Sequence, residues 1–171
     1  MPLDVGDTRV QGPARVHAQV TRFLRETVIR APASRVFAFH ERKDALQLLT
    51  PPWQTTEIIQ PPTSLAVGTR VILRTKIGPF WQTMEAEHVE YEHGVMFADR
   101  VVRGPFRSWL HRHVITRIDD ESCKLSDDIE YELPLGALGR LFGGGFARRE
   151  LDKLFDYRHE VTRRECESLS P

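Results

Sequence analysis

The segment "RSWLHRHVITRIDDESCKLSDDIEYEL" (Arg107–Leu133) decides the fold. It holds two strand-like runs, 107–118 and 123–133, joined only by Asp119–Ser122. So short a turn joins antiparallel neighbours, because parallel strands need a long crossover. In the second run Leu125, Asp127, Ile129, Tyr131 and Leu133 share one parity, whereas Asp128, Glu130 and Glu132 share the other. The first set is the buried face and the second the solvated one. In the first run one row is Trp109, His111, His113 and Ile115, and the other is Leu110, Arg112, Val114 and Thr116. That run alone does not decide which row is inside. With a turn near Asp120–Glu121, the histidine row shares a face with Asp127, Ile129 and Tyr131.

Outward from this hairpin the same logic repeats. "VMFADRVV" (95–102), with a turn near Gly104-Pro105, brings Phe97, Asp99 and Val101 to the histidine face. Further strand-like runs are "QTTEIIQ" (54–60), "TRVILRTKI" (69–77) and "FWQTMEAEHVEY" (80–91). In 69–77 the inward set is Val71, Leu73, Thr75 and Ile77; the parity of 80–91 is ambiguous. A first strand starts at Gln19, where Phe23, Thr27 and Ile29 recur at even spacings. "RAPASRVFAFHERKDALQLL" (30–49) reads as a helix capped by Ser34, with a break near Arg42–Asp44, stopped by the tandem prolines of "TPPW" (50–53). After Pro134 a short helical turn, "LGALGRLF", is followed by Gly143–Gly145, which interrupt it. The last segment places Leu151, Leu154, Phe155, Val161 and Leu169 on one stripe of a long amphipathic helix. The order is strand, helix, six strands, long helix. One antiparallel sheet needs its apolar face covered, and only the last helix is long enough to cover it.

The 171 residues fit one domain, with residues 1–17 read as a flexible N-terminal arm and 18–171 as a single ligand-binding domain. Lys+Arg and Asp+Glu are both 24. That zero net charge argues against nucleic acid as the main partner, since phosphate binding needs a clustered positive surplus. Cys123 and Cys166 form no metal-binding or disulfide pattern and are expected as free thiols. The N-terminus has no apolar core of a secretory signal, and no apolar run approaches the ~20 residues of a membrane span. A cytoplasmic protein without stable membrane insertion is the expectation.

Four stretches carry a family likeness: "IRAPASRVFAFH" (29–40), "TPPW" (50–53), "FADRVVRGPFRSWLHRHVI" (97–115) and "DDIEYELPLGALGRLF" (127–142). Together they resemble the START and Bet v 1 (SRPBCC) superfamily, in its bacterial polyketide cyclase/dehydrase-like branch. The likeness covers about Arg25 to Arg158. It implies an α+β helix-grip fold, a curved seven-stranded antiparallel sheet wrapped around a long C-terminal helix. It also implies a cavity between them for lipids or other apolar small molecules, with catalysis in only some members. Two features depart from the pattern: Val101 stands where the branch carries a polar amide, and the Gly143–Gly145 run is longer than usual.

The expected ligand-binding residues are Phe97, Asp99, Trp109, His111, His113, Asp127 and Tyr131. Apolar groups would supply affinity and the few polar groups orientation. The Asp–His set admits other uses: a purely structural network, the proton-transfer pair of a cyclase or dehydratase, or part of a lipid or quinone carrier serving a membrane partner. A binding module rather than an enzyme is the leading expectation. No cofactor and no metal are expected. H-x-H on a strand supplies two ligands where three or four are needed, the next Glu, Glu121, lies past the turn, and His88 has the right chemistry but sits on the strand of ambiguous parity. Ser108 has the wrong parity for the histidines, and no G-x-S-x-G or phosphate-binding loop is present.

Overall fold

Alternating apolar and polar residues become strands at Thr21–Ile29 (β1), Thr56–Gln60 (β2), Arg70–Ile77 (β3), Phe80–Glu92 (β4), Met96–Arg103 (β5), Ser108–Arg117 (β6) and Cys123–Glu132 (β7). Helices occupy Ala33–Glu41 (α1), Ala45–Leu48 (α2) and Gly136–Glu167 (α3). The computed structural model describes residues 20–168, so the 1–17 arm and Leu169 of the helical stripe lie outside the described residues. The strands form one antiparallel sheet in the order β1-β7-β6-β5-β4-β3-β2, with α3 packed on β1 and β7. This is the helix-grip architecture. No helix among the described residues is long and apolar enough to cross a membrane.

The hairpin register agrees with the parity argument. Trp109 pairs with Tyr131, His111 with Ile129, and His113 with Asp127. On the other side of β6, Phe97 pairs with His113 and Asp99 with His111. Strand β4 carries two irregularities against β5, at Glu85/Ala86 and at His88/Glu90. An extra residue reverses the parity beyond it, which is why simple alternation could not place this strand.

Three local expectations need correction. The Gly143–Gly145 run does not interrupt the helix; α3 is continuous from Gly136 to Glu167. Glycine weakens a helix interior by only about 1 kcal/mol per residue, which the packing of Leu151 and Phe155 outweighs. Ser34 is not the cap of α1. Pro32 holds that position in extended backbone, and its carbonyl accepts from the N–H groups of Arg35 and Val36. The 30–49 segment does break, because Arg42 is extended and its guanidinium pairs with Asp44 at 2.6 Å. Gly139 is needed where it stands: a Cβ there would come within 1.9 Å of the Pro134 carbonyl oxygen, so the chain enters α3 across a bare backbone.

Two apolar clusters make the core. One contains Ile115 of β6, Leu125 of β7 and Val161 of α3; the other contains Trp109, Ile129 and Phe155 of the same three elements. Between them on each element falls a polar layer: His111 and His113 on β6, Asp127 on β7, His159 on α3. Cys123 and Cys166 are both free and buried in the first cluster, where burial pushes each thiol up to about 11. Neither thiol is expected to react with a disulfide reagent at pH 8 until the chain unfolds. Rapid labelling of either cysteine in the native protein would contradict that packing.

Candidate functional site

Asp127 is the hub of the polar layer. Its Oδ1 lies 2.8 Å from His111 Nε2 and 2.7 Å from His113 Nδ1, and its Oδ2 lies 2.7 Å from His159 Nε2. His159 is tied in turn to Thr27 of β1 through Nδ1 at 2.7 Å. On the far side of the two strand histidines stands Asp99. Its Oδ2 is 3.4 Å from His111 Nδ1 and 3.5 Å from His113 Nε2. Two carboxylates thus sandwich a pair of imidazoles whose ring centroids are 3.8 Å apart.

Burial alone would lower the His111 pKa and raise those of both aspartates. The opposed charges outweigh it. The hydrogen bond to Asp127 and the nearby Asp99 carboxylate raise His111 to about 9, which favours its protonated form when no other cation faces Asp99. The histidines in turn hold both carboxyls well below the usual carboxylate range. His40 of α1 goes the opposite way. Burial and the neighbouring His113 lower it to about 4, and its Nδ1 bonds the Val36 carbonyl oxygen at 2.8 Å.

A cavity of about 660 Å³ opens between the sheet and α3. Phe97, Asp99, Trp109, His111 and His113 line it, and Phe97 stacks on His113 at 4.1 Å. Asp127 and Tyr131, expected on the same wall, are not among the lining residues. Asp127 is enclosed by the histidines and α3, and Tyr131 is covered by Phe106 and Trp109. Both share the inner face, but one layer back. The remaining wall is largely apolar, with Val71, Leu73 and Met84 from the sheet and Leu151, Leu154 and Phe155 from α3.

Four lining or supporting groups lie outside the expected ligand-binding residues; of these the sequence pointed only to His88, as a metal-ligand type on a strand of ambiguous parity. His88 lines the cavity opposite Asp99 across β4–β5, and burial lowers its pKa. His40 lines it from α1. Arg158 reaches the cavity from α3, donates from Nε to the Leu49 carbonyl oxygen at 3.2 Å, and places its guanidinium 5.3 Å from the Phe155 ring centre. His159 supports Asp127 from behind. One signal could have found the two α3 residues: Arg158 and His159 lie four positions after Leu154 and Phe155, on the same stripe. Chemically, the cluster offers a positive imidazolium and a carboxylate to the polar end of a molecule whose body lies against apolar wall. It can hydrogen-bond a carbonyl or hydroxyl, or exchange a proton with it.

Comparison with known proteins agrees with this architecture. The model of the family described as "Polyketide cyclase / dehydrase and lipid transport" matches residues 29–155. No curated protein matches the chain. Among solved structures, a START superfamily protein from Mycobacterium smegmatis aligns with a TM-score of 0.63 at 13% identity, over 87% of this chain and 99% of that one. The Zhui aromatase/cyclase from Streptomyces sp. R1128 aligns with a TM-score of 0.61 at 15% identity, over 87% and 94%. Norcoclaurine synthase from Thalictrum flavum, in complex with dopamine and hydroxybenzaldehyde, aligns with a TM-score of 0.65 at 13% identity, over 98% and 100%. These likenesses carry the fold. With nearly three quarters of its residues matched by the family model, the chain belongs to the polyketide cyclase/dehydrase and lipid transport family, on a START/Bet v 1-like helix-grip fold.

Proposed function

We propose that the chain binds an apolar small molecule or lipid in the cavity between sheet and α3, with the ligand's polar end at Asp99, His111 and His113. The observation that carries this reading is the wall itself: a largely apolar cavity of about 660 Å³ into which the ion-paired Asp99, His111 and His113 open together. That is the usual composition of small-molecule sites, and the volume falls in their range of roughly 300–1,000 Å³. The family description, which includes lipid transport, supports the same class of occupant.

The test is a pair of titrations with a fluorescent fatty acid and a quinone analogue, comparing wild type with His113→Gln where both are folded. Saturable binding to the wild type is expected. Loss of one hydrogen bond to a charged or polarised partner should weaken it about tenfold or more in the variant. Failure of every apolar probe to bind the wild type would end the reading. Unchanged affinity in the variant would confine His113 to a structural role.

A further inference from the structure

We infer that Asp99, His111 and His113 form a binding site for a divalent first-row transition ion, with Asp127 holding the two imidazoles from behind. The sequence supplied only the two ligands of H-x-H and no third at suitable spacing. Strand pairing supplies the third. Asp99 lies opposite His111 on β5, and one donor atom from each of the three residues falls within 4.8 Å of the others.

Two of the three donor–donor spacings match those of a coordination site, and the third is within 4.8 Å. Asp99 Oδ2 is 3.4 Å from His111 Nδ1 and 3.5 Å from His113 Nε2. Donor atoms about 2.0–2.2 Å from a common ion stand roughly 3.3 Å apart at tetrahedral angles. A good hydrogen bond between the same atoms would be shorter, near 2.7–3.0 Å, and that is the spacing on the opposite side of each ring. There Asp127 takes His111 Nε2 at 2.8 Å and stands 2.7 Å from His113 Nδ1. Each ring therefore spends one nitrogen on a buried carboxylate and turns the other toward Asp99. Carboxylate–histidine–metal relays have this form, in which the outer carboxylate fixes the ring and raises its basicity.

A further imidazole lines the cavity beside this triad without belonging to it. His88 lines the same cavity opposite Asp99, and its Nδ1 is buried without a hydrogen-bond partner among the described residues. Two histidines and one carboxylate, all lining a cavity, are the donor set of a site that keeps an open coordination position for water or a ligand oxygen. The proposal goes beyond the apolar-ligand reading and does not depend on what fills the rest of the cavity.

The experiment uses the full chain, stripped with chelator and titrated with Co²⁺ alone and with Zn²⁺ alone. One equivalent of either ion per chain is expected. X-ray absorption of the Zn²⁺ form should be fitted by imidazole nitrogen together with oxygen, without sulfur. Asp99→Asn and His113→Gln should each lose more affinity than the roughly 10–100-fold that removal of an outer-shell partner costs. His93→Gln, at an exposed turn histidine, should change nothing. Absence of saturable uptake by the wild type, uptake that survives both substitutions, or a sulfur-containing or all-oxygen shell would overturn the proposal. The absorption spectrum needs only the wild type, so a variant that fails to fold does not block the test. No organic probe enters it, so its failure leaves the apolar-ligand reading standing, and failure of the probe titrations leaves this one standing.

Discussion

Replacing Asp127 by alanine is expected to lower the free energy of unfolding by about 3–5 kcal/mol, the range for breaking a buried charged pair by removing one partner. The carboxylate is 3% exposed and has three imidazole nitrogens within 2.8 Å. The substitution leaves those groups facing a void, with His111 even more buried than Asp127 itself. Two elements would be loosened at once, because His159 is the link from this layer to α3. Asp99→Asn should cost much less. Its side chain is 17% exposed, and its contacts to the histidines are 3.4 and 3.5 Å rather than 2.7–2.8 Å. Denaturant melts of both variants, with the slope unchanged from wild type, measure the difference. An Asp127→Ala loss below about 1 kcal/mol, or a larger loss for Asp99→Asn, would mean that the hub has been misassigned.

The contrast between these two aspartates was half legible in the sequence. Alternation in 107–118 and 123–133, with one short turn, was enough to put His111, His113 and Asp127 on one face. Period two and a four-residue connection leave little freedom. Asp99 joined them through the next turn by the same reasoning. What alternation cannot give is depth. Asp127 and Asp99 share a face, yet one is sealed under α3 and the other lines the cavity, and that follows from where the helix crosses the sheet. His159 was hidden for the same reason. It lies 32 positions from Asp127, and the stripe was read from its apolar members, Leu151, Leu154, Phe155 and Val161, which frame it. His88 was hidden by the β4 irregularities, which reverse parity within a single strand. The Gly143–Gly145 run misled in the other direction, because local helix propensity was weighed without the tertiary contacts that carry α3 through it.

Phe155→Ala is expected to destabilise the fold by about 3–5 kcal/mol, in the range for aromatic deletions from a core. The ring is fully buried, lies 5.3 Å from Phe23 of β1, and meets His111 edge-on at 5.2 Å. It is therefore where the helix touches the sheet and also where the apolar core meets the polar layer. One consideration pulls the value toward the lower end. Phe155 also lines the cavity, so deleting the ring enlarges an existing space instead of creating a new one. Another pulls it upward, because loss of the ring withdraws the wall against which the His111 ring is held. Phe155→Leu separates the two effects, since it keeps apolar volume while removing the aromatic edge. It should recover more than half of the loss if packing dominates, and little if the contact with His111 does. Calorimetric or denaturant unfolding of the three proteins decides between them. A Phe155→Ala variant as stable as wild type would leave the grip of α3 on the sheet without its principal apolar contact, and the cavity would need a different wall.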